Sequence, residues 1–213
     1  VDGYGNGNNA TENFFVSQLQ TAGATTFDTL KIFQQSGGNY TQLAPDNLTQ
    51  SRIFKMFDKI VWFSNDAANS LGIGQRCLND FFNNNGKLLM SCYINGTFDE
   101  QSTFLDYTPA QSLIVLQDST LLLADTSSVF SAGAPYPDLK CTQYIGVVRP
   151  FNMALGATAL YNGNIIAKNN ITLQTGPWGG VSTVIASKTN SGGHTNFIFS
   201  SLELQKLNGA GNI

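Results

Sequence analysis

The run Ile60-Val61-Trp62-Phe63 decides the fold, and it ends at Ser64-Asn65-Asp66. A short continuous apolar run of this kind is typical of a strand that is buried on both faces, as in a parallel sheet covered by helices. Residues 87–92, KLLMSC, have the same character. Between the two runs, residues 72–84 place their large apolar side chains on one helical face and end in an Asn-Gly turn. The three segments together predict a β-α-β unit.

The sequence before this unit continues the alternation of strands and helices. Asn9 and Glu12 have the spacing of a helix start, and Gly23 is predicted to end that helix. The next predicted elements are a strand at residues 25–33, a loop at 34–46 and a helix at 47–57. Such alternation is the pattern of a parallel, doubly wound sheet.

The second half of the chain has a different pattern. From about residue 112 the apolar segments are short and β-like, and turn residues such as Asn162-Gly163 and Ser191-Gly192-Gly193 separate them. We therefore predict an α/β fold of the flavodoxin-like, doubly wound class. Its mostly parallel sheet would carry helices on both faces and be extended by antiparallel strands in the C-terminal half. With no visible linker, residues 1–213 should form one domain, expected to be a fragment or the mature part of a longer precursor.

Charge is unusually sparse in this chain. Asp, Glu, Lys and Arg make up 12% of its 213 residues, where about 25% is typical. The chain has eleven basic residues and a net charge of -3. This composition predicts neither a basic surface for nucleic acid nor a polybasic patch for anionic lipid. There is no apolar run of membrane-spanning length, which is about 18 residues or more. We therefore expect no nucleic-acid partner and no membrane span.

The cysteines give no metal or cofactor prediction. Cys77, Cys92 and Cys141 are too few and too widely spaced for a disulfide framework or a zinc site. Two states remain open for them: one disulfide with a free thiol, or three buried reduced thiols. The carboxylates that come closest to forming a metal-binding cluster are Asp99, Glu100 and Asp106, and an ordinary exposed helix start explains them. We predict no cofactor and no metal.

Three segments carry a resemblance to a known family. KIVWFSND (residues 59–66), NNNGKLLMSCYIN (83–95) and VIASKTNSGGHTNFIFSSLELQKL (184–207) resemble the class I glutamine amidotransferase-like fold. More narrowly, they are similar to the non-catalytic members found in secreted bacterial multi-domain proteins. The resemblance implies an exported or cell-surface protein.

The resemblance also places a catalytic cysteine at Cys92. In active members small residues flank that cysteine in a strained elbow, and a histidine follows the last core strand. Here the flanking positions hold Met90 and Ile94, and Ser200 stands near the place of the histidine. His194, the single histidine, precedes that strand. The implied catalytic pair is therefore incomplete, and Cys92 is a weak catalytic candidate.

Ligand-binding candidates come from two positions in the predicted fold. Open α/β sheets bind ligands at the carboxyl ends of their strands, where we expect Tyr4, Asn65, Asp66, Tyr93 and Asn95. Trp178 lies in a Gly-Pro loop, and loop aromatics either recognise carbohydrate or protein ligands or cap the core.

Three functions remain open from the sequence. The first is a non-enzymatic binding or assembly domain of an exported or surface protein, which the sparse charge and incomplete catalytic pair favour. The second is a Cys-dependent hydrolase or amidotransferase using Cys92. The third is a structural subunit of an extracellular polymer, in which the chain would associate with itself.

Overall fold

The computed structural model describes residues 1–3, 10–31, 33–36, 39–42, 46–64, 76–93, 98, 104–114, 120–133, 135–189 and 193–209. Within these ranges the helices are α1 (Ala10–Thr21), α2 (Asn47–Phe54), α3 (Asn79–Asn83) and α4 (Phe104–Tyr107). The earlier strands are β1 (Phe33–Ser36), β2 (Asn39–Gln42), β3 (Lys59–Ser64), β4 (Lys87–Cys92), β5 (Ala110–Leu113), β6 (Thr120–Ala124), β7 (Val129–Ser131) and β8 (Leu139–Cys141). The later strands are β9 (Gly146–Val147), β10 (Phe151–Met153), β11 (Ala157–Gly163), β12 (Ile166–Asn169), β13 (Thr175–Pro177), β14 (Thr183–Thr189), β15 (Thr195–Ser200) and β16 (Leu207–Gly209).

The main sheet has eight strands in the order β16-β8-β7-β11-β14-β15-β4-β3. β4 pairs in parallel with β3 on one side and with β15 on the other. Beyond β3, Asp2 forms isolated parallel bridges with Phe63 and with Lys31. The remaining pairs of this sheet are antiparallel. The parallel part therefore lies at one end of a mixed sheet.

The strand sequences bury both faces of this sheet, because side chains of a strand alternate between its two faces. Trp62 and Phe63 are both buried and belong to different hydrophobic clusters. We call the two sides the Trp62 face and the Phe63 face. The helices α2, α3 and α4 and strand β10 cover the Trp62 face through aromatic contacts, namely Phe54–Trp62, Phe82–Phe197, Phe104–Phe197 and Phe151–Phe199.

The Phe63 face is covered mainly by a second sheet. This sheet has four antiparallel strands in the order β13-β12-β6-β9. Its residues Leu122 and Ala124 are buried in one cluster with Phe130 of the main sheet. At the edge of this face α1 contributes Phe15, whose ring stacks on Phe63 with centroids 4.4 Å apart.

The predicted doubly wound fold is wrong. Strands account for 39% of the structure and helices for 21%, and the main sheet is curled and mixed. In a doubly wound fold helices would cover both faces. Here four short strands of the second half, β6, β9, β12 and β13, form an antiparallel sheet over the Phe63 face. The chain returns to this sheet after short turns, which leave no room for covering helices. The molecule is therefore mostly β.

Two local predictions before β3 also fail. Residues 24–30 form no regular element, and a single bridge at Lys31 replaces the predicted strand at 25–33. The predicted loop at 34–46 contains most of an antiparallel pair, β1 with β2, whose register joins Phe33 to Gln42. The predicted helix at 72–84 contributes α3 over residues 79–83, and residues 65–75 lie outside the described ranges.

Asn162 and Gly163 form the end of β11 rather than a hairpin turn. Asn162 pairs with Ser131 on one side and with Thr183 on the other. A β-carbon on Gly163 would overlap the ring of Phe130. Glycine is therefore needed here for close packing, and the chain crosses from the main sheet to the second sheet just after it.

Candidate functional site

Cys92 is a core residue. It ends β4 on the Trp62 face with 0% of its surface exposed. Burial raises the pKa of its thiol, and the N-terminal amino group of Val1 and the backbone of Ser64 offset this only in part. A reactive cysteine has a lowered pKa and partial solvent access. Cys92 therefore has the environment of an inert thiol. All three cysteines are free and buried.

His194 lies at the far end of the sheet from Cys92. It follows Gly193, which has φ +77°, and it precedes β15. Because β15 and β4 are parallel, Ser200 at the other end of β15 pairs with Ser91, next to Cys92. The six residues of β15 span about 20 Å at ~3.3 Å per residue. A nucleophile and its base must lie within about 3.2 Å, so His194 does not activate Cys92.

Serine hydroxyls form hydrogen bonds at the carboxyl edge of the sheet. This name refers to the ends of β4 and β15 that carry Cys92 and Ser200. Ser91 Oγ donates to the Leu202 carbonyl at 2.9 Å and accepts from the Leu204 N–H at 3.1 Å. Ser200 Oγ donates to the same Leu202 carbonyl at 3.0 Å and accepts the Leu202 N–H at 3.2 Å. Leu202 is fully buried. The segment after β15 therefore folds over this edge, where the sequence predicts a ligand site.

One of the predicted carboxyl-edge ligand residues can be placed in the structure. Tyr93 follows β4, is half-buried, and its backbone N–H donates to the Ser64 carbonyl at 3.2 Å. The other predicted residues of this group lie outside the described residues: Tyr4, Asn65, Asp66 and Asn95. Their role as ligand residues stays a prediction.

Trp178 packs against the second sheet and away from the carboxyl edge. It follows β13, is half-buried and lies against the core on the Phe63 face. Its Nε1–H donates to the Val181 carbonyl at 2.9 Å. A β-carbon on Gly180 would overlap the Trp178 ring, so glycine at this position makes room for the indole. These contacts pack Trp178 against the core, and its role as a ligand residue stays a prediction.

A cavity of about 400 Å³ lies at the opposite, amino edge of the parallel strands. We call it the polar cavity. It forms where α3 and its C-terminal turn, α4, the end of β14 and the start of β15 meet. Its polar lining residues are Asn83, Asn85, Asp106, Lys188, Thr189 and Asn196.

The aromatic part of the polar cavity is held in place by stacking and hydrogen bonds. The Tyr107 ring stacks on Phe82 with centroids 4.6 Å apart and an interplanar angle of 15°. The Tyr107 hydroxyl lies 2.6 Å from Asn83 Oδ1 and 3.1 Å from Asn79 Oδ1, both acceptors. Burial, and then the nearby charge of Asp106, raise the pKa of Tyr107. Its hydroxyl therefore keeps its proton at neutral pH.

Lys188 and Asn196 provide the most buried polar groups of the cavity. Lys188 Nζ donates to the Asp106 carbonyl at 2.8 Å. Burial lowers the pKa of Lys188, while the Asp106 charge opposes that shift. Asn196 is 6% exposed and lies opposite a register shift between Lys188 and Thr189. Bulges of this kind re-aim side chains and are frequent beside functional sites.

No local pattern in the sequence links these residues, because they are distant in the chain. Asp106 and Lys188 are 82 positions apart. The available signal was Lys188 itself, since a lysine at the end of the apolar run Val184-Ile185-Ala186 interrupts a buried strand.

A second cavity, of about 580 Å³, lies among α1, residues 23–30, α2 and β3. We call it the apolar cavity, because rings such as Phe15, Phe27 and Phe57 line it. Glu12 also lines it and forms an ion pair of 3.0 Å with Lys31. The apolar cavity thus has room for a ligand, and most of its lining residues are apolar.

The described residues contain no group of three or more His, Cys, Asp or Glu side chains that could hold a metal ion. No helix in those same ranges has the length and apolar character of a membrane-spanning segment.

Comparison with known proteins found no protein-family model and no curated protein that matches this chain.

Proposed function

We propose that this chain is a non-enzymatic binding domain of an exported or cell-surface protein. The observation that carries the proposal is the polar cavity, where side chains from four separate elements converge. A small number of placed polar groups beside aromatic rings is the usual composition of a ligand pocket. The charge-poor composition supports an exported setting, as does the resemblance to non-catalytic domains of secreted proteins.

The enzymatic alternative needs a reactive Cys92. Its thiol has 0% exposure, burial raises its pKa, and His194 lies at the opposite end of β15. In the polar cavity, the Tyr107 hydroxyl retains its proton and hydrogen-bonds to Asn83. These features support binding over catalysis.

Selective thiol labelling tests the proposal. Native protein would be treated with iodoacetamide at pH 7.5, and the labelled cysteines would be assigned by peptide mass spectrometry. We expect Cys92 to stay unlabelled in the native protein and to react fully after denaturation. Ser112→Cys, on an exposed position of β5, is the matched control and should label at once. Rapid labelling of Cys92 in the folded protein would overturn the non-enzymatic assignment.

A further inference from the structure

We propose that the polar cavity is a carbohydrate-binding site for a neutral mono- or disaccharide, with Asn196 and Lys188 as its specific contacts. This inference rests on the proposed binding function and names the ligand class for that site. It places the ligand at the amino edge of the sheet, opposite to the edge that the sequence predicts.

Asn196 provides the first argument, because its side-chain amide is open to the cavity. The side chain makes no hydrogen bond to another described residue, although the residue is 6% exposed and lines the cavity. The amide atoms are not among the fully buried atoms that lack a partner, so a ligand in the cavity can reach them. A side-chain amide offers two N–H donors and a carbonyl acceptor. A ligand that satisfies Asn196 must therefore both donate and accept, as a hydroxyl group does.

The charges of the cavity provide the second argument. The titratable side chains that face it are Lys188, Asp106 and Tyr107. The ammonium of Lys188 and the carboxylate of Asp106 have opposite charges, and the charge of Asp106 acts to raise the pKa of Lys188. Tyr107 stays neutral because its pKa is raised. The site therefore carries no net charge, and it favours a neutral ligand over a phosphate or a carboxylate. Lys188 has N–H groups beyond the one that binds the Asp106 carbonyl, and these can reach a sugar hydroxyl.

The aromatic wall and the size of the cavity provide the third argument. Phe82 and Tyr107 are stacked and fixed, so the polar groups lie next to an apolar surface. A pyranose ring has the same mixture, because its C–H groups are apolar and its hydroxyl groups surround them. The volume of about 400 Å³ falls near the lower end of small-molecule sites, which span about 300–1,000 Å³. That size suits one or two sugar rings.

Titration with sugars, followed by NMR of the backbone amides, tests the site directly. The probes are D-glucose, D-galactose, D-mannose, N-acetyl-D-glucosamine and their disaccharides, with inorganic phosphate and acetate as charged competitors. We expect saturable shifts at Lys188, Asn196 and Tyr107 for at least one sugar, and weaker binding of both anions. Loss of the hydrogen bonds of one amide in Asn196→Leu should raise the dissociation constant about tenfold or more.

Two further variants keep the test decisive. Asn152→Leu removes an exposed amide on β10, which does not line the cavity, and it should bind the sugar like the wild type. Lys188→Met should also weaken binding, so the proposal remains testable if Asn196→Leu fails to fold. Saturable sugar shifts confined to other surfaces, unchanged affinity in Asn196→Leu or Lys188→Met, or tighter binding of phosphate would each overturn the carbohydrate assignment. The thiol experiment judges the non-enzymatic function separately, because it does not depend on any sugar.

Discussion

Removing the Ser91 hydroxyl should destabilise the protein through the carboxyl edge. Ser91 is 1% exposed, and its hydroxyl both donates to the Leu202 carbonyl and accepts from the Leu204 N–H. In Ser91→Ala the Leu202 carbonyl keeps its bond from Ser200, while the buried Leu204 N–H loses the Ser91 acceptor. One lost hydrogen bond and one unsatisfied donor together cost about 2–3 kcal/mol in free energy of unfolding.

Urea unfolding followed by tryptophan fluorescence measures this loss. We expect a lower midpoint with an unchanged denaturant slope, because the change alters stability without altering the surface exposed on unfolding. For a domain of this size the same loss lowers the melting temperature by about 4–12 °C.

Ser112→Ala is the matched control for this experiment. Ser112 accepts a bond from the Asn152 amide at 3.1 Å, but at an exposed position, so its removal should change stability by less than about 0.5 kcal/mol. Equal stability of Ser91→Ala and Ser112→Ala would refute the reasoning that the hydrogen bonds of the Ser91 hydroxyl stabilise this edge.

Two other changes test packing and capping. Gly86→Ala should lose about 1–3 kcal/mol of stability, because the new β-carbon would overlap the buried ring of Phe81. Gly133→Ala is the control, since a β-carbon there would have nothing within 4 Å. A similar loss for both variants in thermal unfolding would contradict the packing argument. Hydrogen bonds from the N–H and hydroxyl of Thr49 lower the pKa of Asp46. The stability that this helix cap contributes is therefore fully present above the ordinary pKa of Asp, and it is lost as the pH falls through the lowered pKa of Asp46. Asp46→Asn should therefore show a shallower loss of stability than the wild type on acidification below about pH 4, and superimposable unfolding profiles would count against the cap.

The elements that the sequence predicts well are those with a strong local pattern. The strands around Trp62 and Met90 are confirmed as β3 and β4 within a residue or so. The first helix is confirmed as well, since α1 ends two residues before Gly23, which has φ +87°. In each case the periodicity and the end signals lie within one short segment, so they need no knowledge of distant contacts.

The elements that the sequence misses depend on pairing between distant segments. β1 and β2, FQQS and NYTQ, contain few apolar residues and therefore look like a loop. The second sheet depends on β6 pairing with β12, where Leu122 meets Ala167. No local pattern indicates that this pair would cover the Phe63 face in place of helices, and the fold class was wrong for that reason.

The candidate site was missed for a related reason. The general tendency of open sheets places a ligand at the carboxyl edge, yet Ser91 and Ser200 use their hydroxyls there to bind Leu202. The polar cavity becomes visible only when β14 and α4 bring Lys188 to Asp106. Such a convergence is a property of the tertiary structure.

The pairing of β4 with β15 has a consequence for synthesis of the chain. Leu88 pairs with Phe197, so the ribosome must add about a hundred residues, at about 5–20 residues per second, before β4 gains this neighbour. During those seconds the nascent β4 has one open side, and an unpaired strand edge invites association with other chains. The pairing of the first half of this sheet therefore cannot be completed until residues 195–200 have been made.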